Sequence, residues 1–242
     1  MNPGKRLFLT LALLNLLFLA PSQAAVKFGD LPDDYWAKEA VTQIASLGVL
    51  TGYPDGTFRP NAPITRAEFA AILVKLKSPG RHKQAMVSSF SDVTRESWAS
   101  GYIEEAANLE LITGYPDGTF RPTVKIDRVD AVVILTRFAS LPATYDLTDA
   151  YEDISAEHWA NNLISAARAA GFLAFIKGKE FEPARLFTRG ETCWVLSRTS
   201  LVKGKLEKKD LPLNSERPRR VYRNNADGTL PPAKDQPPEL FP

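Results

Sequence analysis

The 242-residue sequence predicts a mainly all-α fold built from three tandem helix-turn-loop-helix copies. Three observations carry that expectation: the sequence repeats on itself, apolar residues in each copy fall at helical spacing, and a helix-start signature recurs at the same place in every copy.

The repetition comes first, because it fixes the scale of everything else. A shift of 62 residues aligns Phe28-Gly29-Asp30 with Phe90-Ser91-Asp92, and Trp36 with Trp98. It also superposes the nonapeptide from Gly52 to Pro60 on an identical one from Gly114 to Pro122. The same shift pairs Ile64-Thr65-Arg66-Ala67-Glu68 with Ile126-Asp127-Arg128-Val129-Asp130. A further 61 residues on stand Tyr151-Glu152-Asp153, Trp159, Phe181, Pro183 and Phe187-Thr188-Arg189-Gly190-Glu191. The copies span residues 28–76, 90–139 and 151–200, joined by linkers at 77–89 and 140–150.

Within the first copy, Trp36, Ala40, Val41, Ile44 and Leu47 recur at spacings of three and four, which marks one apolar face of a helix. Gly48 and Gly52 weaken that helix, and Tyr53-Pro54-Asp55-Gly56 has the residues of a β-turn. A second helix opens at Thr65, with Glu68 three residues on and Ile64 and Phe69 flanking, the pattern of a capping box with a hydrophobic staple. Repeats of about 50 residues with two short amphipathic helices cannot bury their apolar faces alone, so the three are expected to share one core.

The flanks read differently. Lys5 and Arg6 precede an apolar run from Leu7 to Ala20 and small residues up to Ala25, a secretory signal over residues 1–24 with its cut after Ala24. The run is short of the roughly 20 residues of a membrane-spanning helix, an uncleaved N-terminal anchor being the alternative to a cleaved signal, and no later stretch could span a bilayer. Cys193, the only cysteine, leaves an exported protein without an internal disulfide, so stability must come from packing. Residues 203–242 are rich in proline and mixed charge and read as an extended, disordered tail. A basic cluster from Arg217 to Arg223 lies within it, together with room for a protein partner. The formal charge of the chain is +2; setting aside the signal's two positive charges, and the tail's nine Lys/Arg against six Asp/Glu, leaves the body at −3. A mildly acidic body argues against nucleic acid as a partner.

The Phe-x-Asp start, the Trp-initiated helix, the Gly-Tyr-Pro-Asp-Gly-Thr-Phe-Arg-Pro loop and the Ile-Thr-Arg-Ala-Glu helix opening resemble the S-layer homology repeat of bacterial cell-surface proteins, over residues 28–200. The resemblance implies a pseudo-threefold bundle whose inter-repeat grooves bind a secondary wall polysaccharide, often pyruvylated. It also implies an exported protein of the cell wall, cell surface or periplasm-envelope.

The residues themselves nominate a site. Arg66, Arg128 and Arg189 each take the first helical position, although a cation there opposes the helix dipole by about 0.3–1 kcal/mol. Two readings stand side by side: a salt bridge to a neighbouring carboxylate, or an anion site made of the guanidinium, free backbone N–H groups and the dipole. On the second reading, Arg66→Ala lowers glycan affinity and leaves stability nearly unchanged. Trp36, Trp98 and Trp159 read first as core and second as sugar-stacking residues. Tyr53 and Tyr115 flank the turn, and Asp55 and Asp117 serve it while offering acceptors to sugar hydroxyls. The third copy departs from the pattern, with Phe175-Ile176-Lys177-Gly178-Lys179 in the turn and Glu182 where Arg59 and Arg121 stand. Its groove is therefore altered or lost.

The turn supplies too few alternating oxygens for a calcium loop, and no cofactor is expected. His82 and His158 form no catalytic arrangement with Ser or Asp. The expected function is noncatalytic anchoring to a cell-wall polysaccharide or peptidoglycan-linked glycan; the competing class is a wall-associated enzyme or its accessory.

Overall fold

A computed structural model describes residues 27–80, 84–142 and 151–210. The helices are α1 (Lys38–Ser46), α2 (Arg66–Lys77), α3 (Ser100–Asn108), α4 (Arg128–Phe138), α5 (Asn161–Ala169), α6 (Arg189–Arg198) and α7 (Ser200–Asp210). No strand is formed among the described residues; the β-like pairing is confined to three isolated bridges, Pro63 with Thr188, Thr65 with Lys125 and Asp127 with Leu186.

Each copy contributes one outer and one inner helix. The outer helices α1, α3 and α5 bury a single face, represented by Val41 and Ile44 in the first copy and Ile103 and Ala106 in the second. The inner helices are buried on nearly every side; α2 alone buries Phe69, Ala70, Ile72, Leu73 and Leu76. Sequence decides this division, since a helix apolar all round has no face to give to water. Each inner helix packs on the outer helix of the next copy: α2 on α3, α4 on α5, and α6 back on α1.

The three copies close into a ring at the residue that precedes each inner helix cap. Ile64 N–H donates to Phe187 O at 3.0 Å, Phe187 N–H to Ile126 O at 2.9 Å, and Ile126 N–H to Ile64 O at 3.0 Å. Their three side chains are fully buried. The first two amides of each inner helix, orphaned in an isolated helix, are satisfied one copy further on. Arg66 N and Ala67 N donate to Val124 O and Pro122 O, Arg128 N and Val129 N to Arg185 O and Pro183 O, and Arg189 N and Gly190 N to Ala62 O and Pro60 O. The third amide is capped locally: Thr65 and Glu68, and again Thr188 and Glu191, form the capping box, while Asp127 accepts from Asp130 N at 3.0 Å.

A second constant is the aspartate that opens each copy. Asp30, Asp92 and Asp153 each accept two backbone N–H groups at 2.7 Å, from Phe58 and Arg59, Phe120 and Arg121, and Phe181 and Glu182. The clamp holds the second residue of each pair in the left-handed region, at φ 57°, 58° and 54°, where a side chain is strained. It also seats Phe58, Phe120 and Phe181 in the core.

Two sequence expectations are corrected. Trp36, Trp98 and Trp159, read first as core, are 44%, 60% and 61% exposed, because each lies just before its outer helix instead of on its buried face. The tail, placed from residue 203, is helical through Asp210: Val202 is buried, Leu201 and Leu206 pack on the core, and Lys209 Nζ donates to Ser46 O at 2.6 Å. Four lysines and two acids between Lys203 and Asp210 conceal this short apolar face in the sequence. The signal, residues 143–150 of the second linker and the tail from residue 211 onward lie outside the described residues.

Replacing Asp92 by Ala removes two charge-assisted acceptors from a strained turn and is expected to cost roughly 2–4 kcal/mol. Thermal unfolding checks this, and an unchanged midpoint would mean that the turn holds itself without the clamp.

Candidate functional site

The three arginines at the inner helix starts are almost fully buried, with Arg66 5%, Arg128 1% and Arg189 4% exposed. Each reaches into the next copy. Arg66 Nε donates to Phe120 O at 2.9 Å and Nη2 to Thr113 O at 3.1 Å; Arg189 Nε donates to Phe58 O at 2.9 Å and Nη2 to Thr51 O at 2.8 Å. The first-turn position thus serves as a staple across the copy boundary, and its bonds to carbonyls offset the unfavourable dipole.

The helix-start anion site expected from sequence does not form in its simple version. The leading amides are not free, because the next copy's carbonyls and the cap side chains occupy them. The salt-bridge reading holds only for Arg128, whose Nη2 lies 3.3 Å from Glu191 Oε1 and whose Nη1 lies 3.2 Å from Glu182 Oε2. Among the described residues, no carboxylate comes within ion-pair distance of Arg66 or Arg189. Asp130, the counterpart of Glu191 beside Arg66, is one methylene shorter, and its pKa is raised first by burial.

The turn residues form a tight cluster with these guanidiniums. Tyr53 is flanked by Arg59 at 4.1 Å and Arg189 at 4.9 Å from its ring centroid, and Tyr115 by Arg121 at 4.0 Å and Arg66 at 4.7 Å. Asp55 accepts from Thr57 Oγ1 at 2.6 Å, Thr57 N at 3.0 Å and Arg59 Nη2 at 2.7 Å; Asp117 repeats the pattern on Thr119 and Arg121. These bonds, the threonine's first, draw both aspartates down to about 2, so their charge is fixed and committed to the turn.

Grooves therefore form from three copies at once. Arg66 of the first copy, Tyr115 of the second and Trp159 of the third line one cavity of about 190 Å³. Arg128 of the second, the altered turn of the third and Trp36 of the first line another of about 630 Å³. The same reach brings Arg189 of the third copy over Tyr53 of the first. Sequence alone placed Arg128 with an intact turn and Arg189 with the degenerate one; the cross-copy reach of the side chains exchanges them.

The family model described as S-layer homology domain matches residues 27–70, 89–132 and 150–193. Cell surface glycoprotein 1 of Acetivibrio thermocellus is 33% identical over 148 residues, which cover 57% of this chain and 6% of that protein. The cellulosome-anchoring protein of the same organism is 34% identical over 144 residues, 58% of this chain and 32% of that protein. S-layer protein EA1 of Bacillus anthracis is 30% identical over 194 residues, 77% of this chain and 22% of that protein. In each case the match spans less than a third of the relative's length.

Because Arg66 holds two carbonyls of the neighbouring copy, Arg66→Ala is expected to destabilise the fold by about 2–4 kcal/mol, reversing the expectation drawn from the helix dipole alone. Denaturant unfolding measures it; a loss below about 0.5 kcal/mol would show that the staple contributes nothing to stability.

Proposed function

The chain belongs to the S-layer homology domain family, and we propose that it anchors to the cell wall, without catalysis, by gripping an anionic wall polysaccharide in the grooves headed by Arg66 and Arg189. Family membership places it at the cell surface. Among the described residues, no helix is long and apolar enough to cross a membrane.

One observation carries the reading: two buried guanidiniums, each held by backbone carbonyls and lacking a carboxylate counterion among the described residues. A charge of this kind, stripped of most of its water, attracts an anion more strongly than one in solvent. The carboxylate of a pyruvyl ketal is such an anion, and a sugar ring offers an apolar face to a neighbouring indole. Trp159, which lines the cavity with Arg66, is an exposed platform for that face, and the repeat pattern assigns the exposed Trp98 to Arg189 in the same role. Tyr53 and Tyr115 hold the guanidiniums in place, and Asp55 and Asp117 hold the turns that carry them.

The test is co-sedimentation with purified walls. Trp98→Ala combined with Trp159→Ala removes two exposed platforms and is expected to weaken retention by roughly five- to a hundredfold, with the circular dichroism unchanged. Stripping pyruvyl groups from the walls is expected to lower wild-type retention equally. Full retention on stripped walls would contradict the anionic reading.

A further inference from the structure

The groove headed by Arg128 differs from the other two in the state of its guanidinium. Glu182 stands at the left-handed position that Arg59 and Arg121 occupy elsewhere, and with Glu191 it neutralises Arg128. Turned toward those carboxylates, the guanidinium offers Nη1 to Phe181 O where the other arginines offer Nε, and the buried Nε–H has no acceptor among the described residues. Two of the three remaining cations of this cavity are paired with carboxylates. Lys179 lies 3.0 Å from Glu152, Arg185 lies 3.1 Å from Glu182, and Lys177 donates to Ala174 O at 3.0 Å. An entering carboxylate would find no buried unpaired cation here, only the solvent-exposed Lys177, and it would meet Glu180 and Glu182.

The wall of the cavity has changed in the opposite sense. In the intact turns Gly52 and Gly114 lie so close to Phe28 and Phe90 that an added Cβ would stand 2.5 Å and 2.3 Å from those rings. The third copy has Phe175 at this place, so the turn takes another course and the ring packs outward on Trp36, 5.4 Å between centroids and 30° between planes. Trp36 in turn rests on Trp194 at 5.2 Å. The result is a three-ring aromatic shelf beside a polar wall whose buried cation is already paired, in a cavity more than three times the size of the one beside Arg66.

We infer that this third groove binds an uncharged pyranose unit and rejects the anionic unit taken by the other two. The sugar's apolar face lies on Trp36 and Phe175, and its hydroxyls donate to the carboxylates and accept from Lys179. The comparison with an anionic unit rests on the function proposed above; the neutral site itself does not.

The whole protein is titrated calorimetrically with a neutral N-acetylhexosamine trisaccharide and with the same trisaccharide carrying a pyruvyl ketal. The neutral probe is expected to bind at one equivalent. Trp36→Ala should weaken it roughly tenfold, while Trp98→Ala with Trp159→Ala should leave it within about twofold. The pyruvylated probe should show the reverse pattern. Glu182→Arg, which restores the residue of the other copies, is expected to open an additional site for the pyruvylated probe. No heat from the neutral probe, neutral binding indifferent to Trp36→Ala, or a pyruvylated probe that depends on Trp36 in the wild type would each overturn the inference. Neutral binding at Trp36 with no pyruvylated binding anywhere would sustain it and sink the anionic reading instead.

Discussion

Three backbone hydrogen bonds, from Ile64 to Phe187, Phe187 to Ile126 and Ile126 to Ile64, close the chain on itself. Each joins residues more than sixty positions apart, and the side chains of all three residues are fully buried. A donor left open there would cost about 1–3 kcal/mol, so the loss of one copy exposes unsatisfied groups in both of the others. The leading amides of the inner helices, the arginine staples and the packing of α6 on α1 run the other way, each to the next copy, so every boundary is tied from both sides. The third copy is thus retained as a structural member even where its turn has diverged, because its inner helix completes the first copy.

Circular closure also explains why no groove belongs to one repeat. A guanidinium comes from one copy, the turn that holds it from the next, and the indole from the third. A change in one turn therefore alters the groove of the preceding arginine. The divergence at Phe175–Glu182 changes the surroundings of Arg128, from an intact copy, and leaves Arg189, from the divergent copy, in an intact setting. Arg66 and Arg189 remain buried cations with no carboxylate partner among the described residues, whereas Arg128 has gained ion pairs and stands in a cavity with an aromatic shelf.

What was legible in the sequence was local or repeated. The Thr65 and Glu68 capping box spans three residues, and the inner helix starts at Arg66, Arg128 and Arg189 fell where the pattern put them. The family was legible because an identical nonapeptide recurs at fixed separation. The partners of the arginines were not, since Phe120 O lies 54 residues from Arg66 and Phe58 O lies 131 from Arg189, and nothing in a repeat says which neighbour it faces. Extending the helical wheel back to Trp36 misjudged its burial because α1 begins two residues later. Charge density concealed α7, whose apolar contacts rest on Leu201, Val202 and Leu206 alone.

Native-state hydrogen exchange at the amides of Ile64, Ile126 and Phe187 tests the closed ring most directly. If the three copies stand or fall together, all three amides exchange only through global unfolding and report one common free energy, equal to that from denaturant unfolding. Should the Phe187 amide exchange through a smaller opening while Ile64 and Ile126 stay protected, the third copy detaches on its own and the ring does not govern the fold.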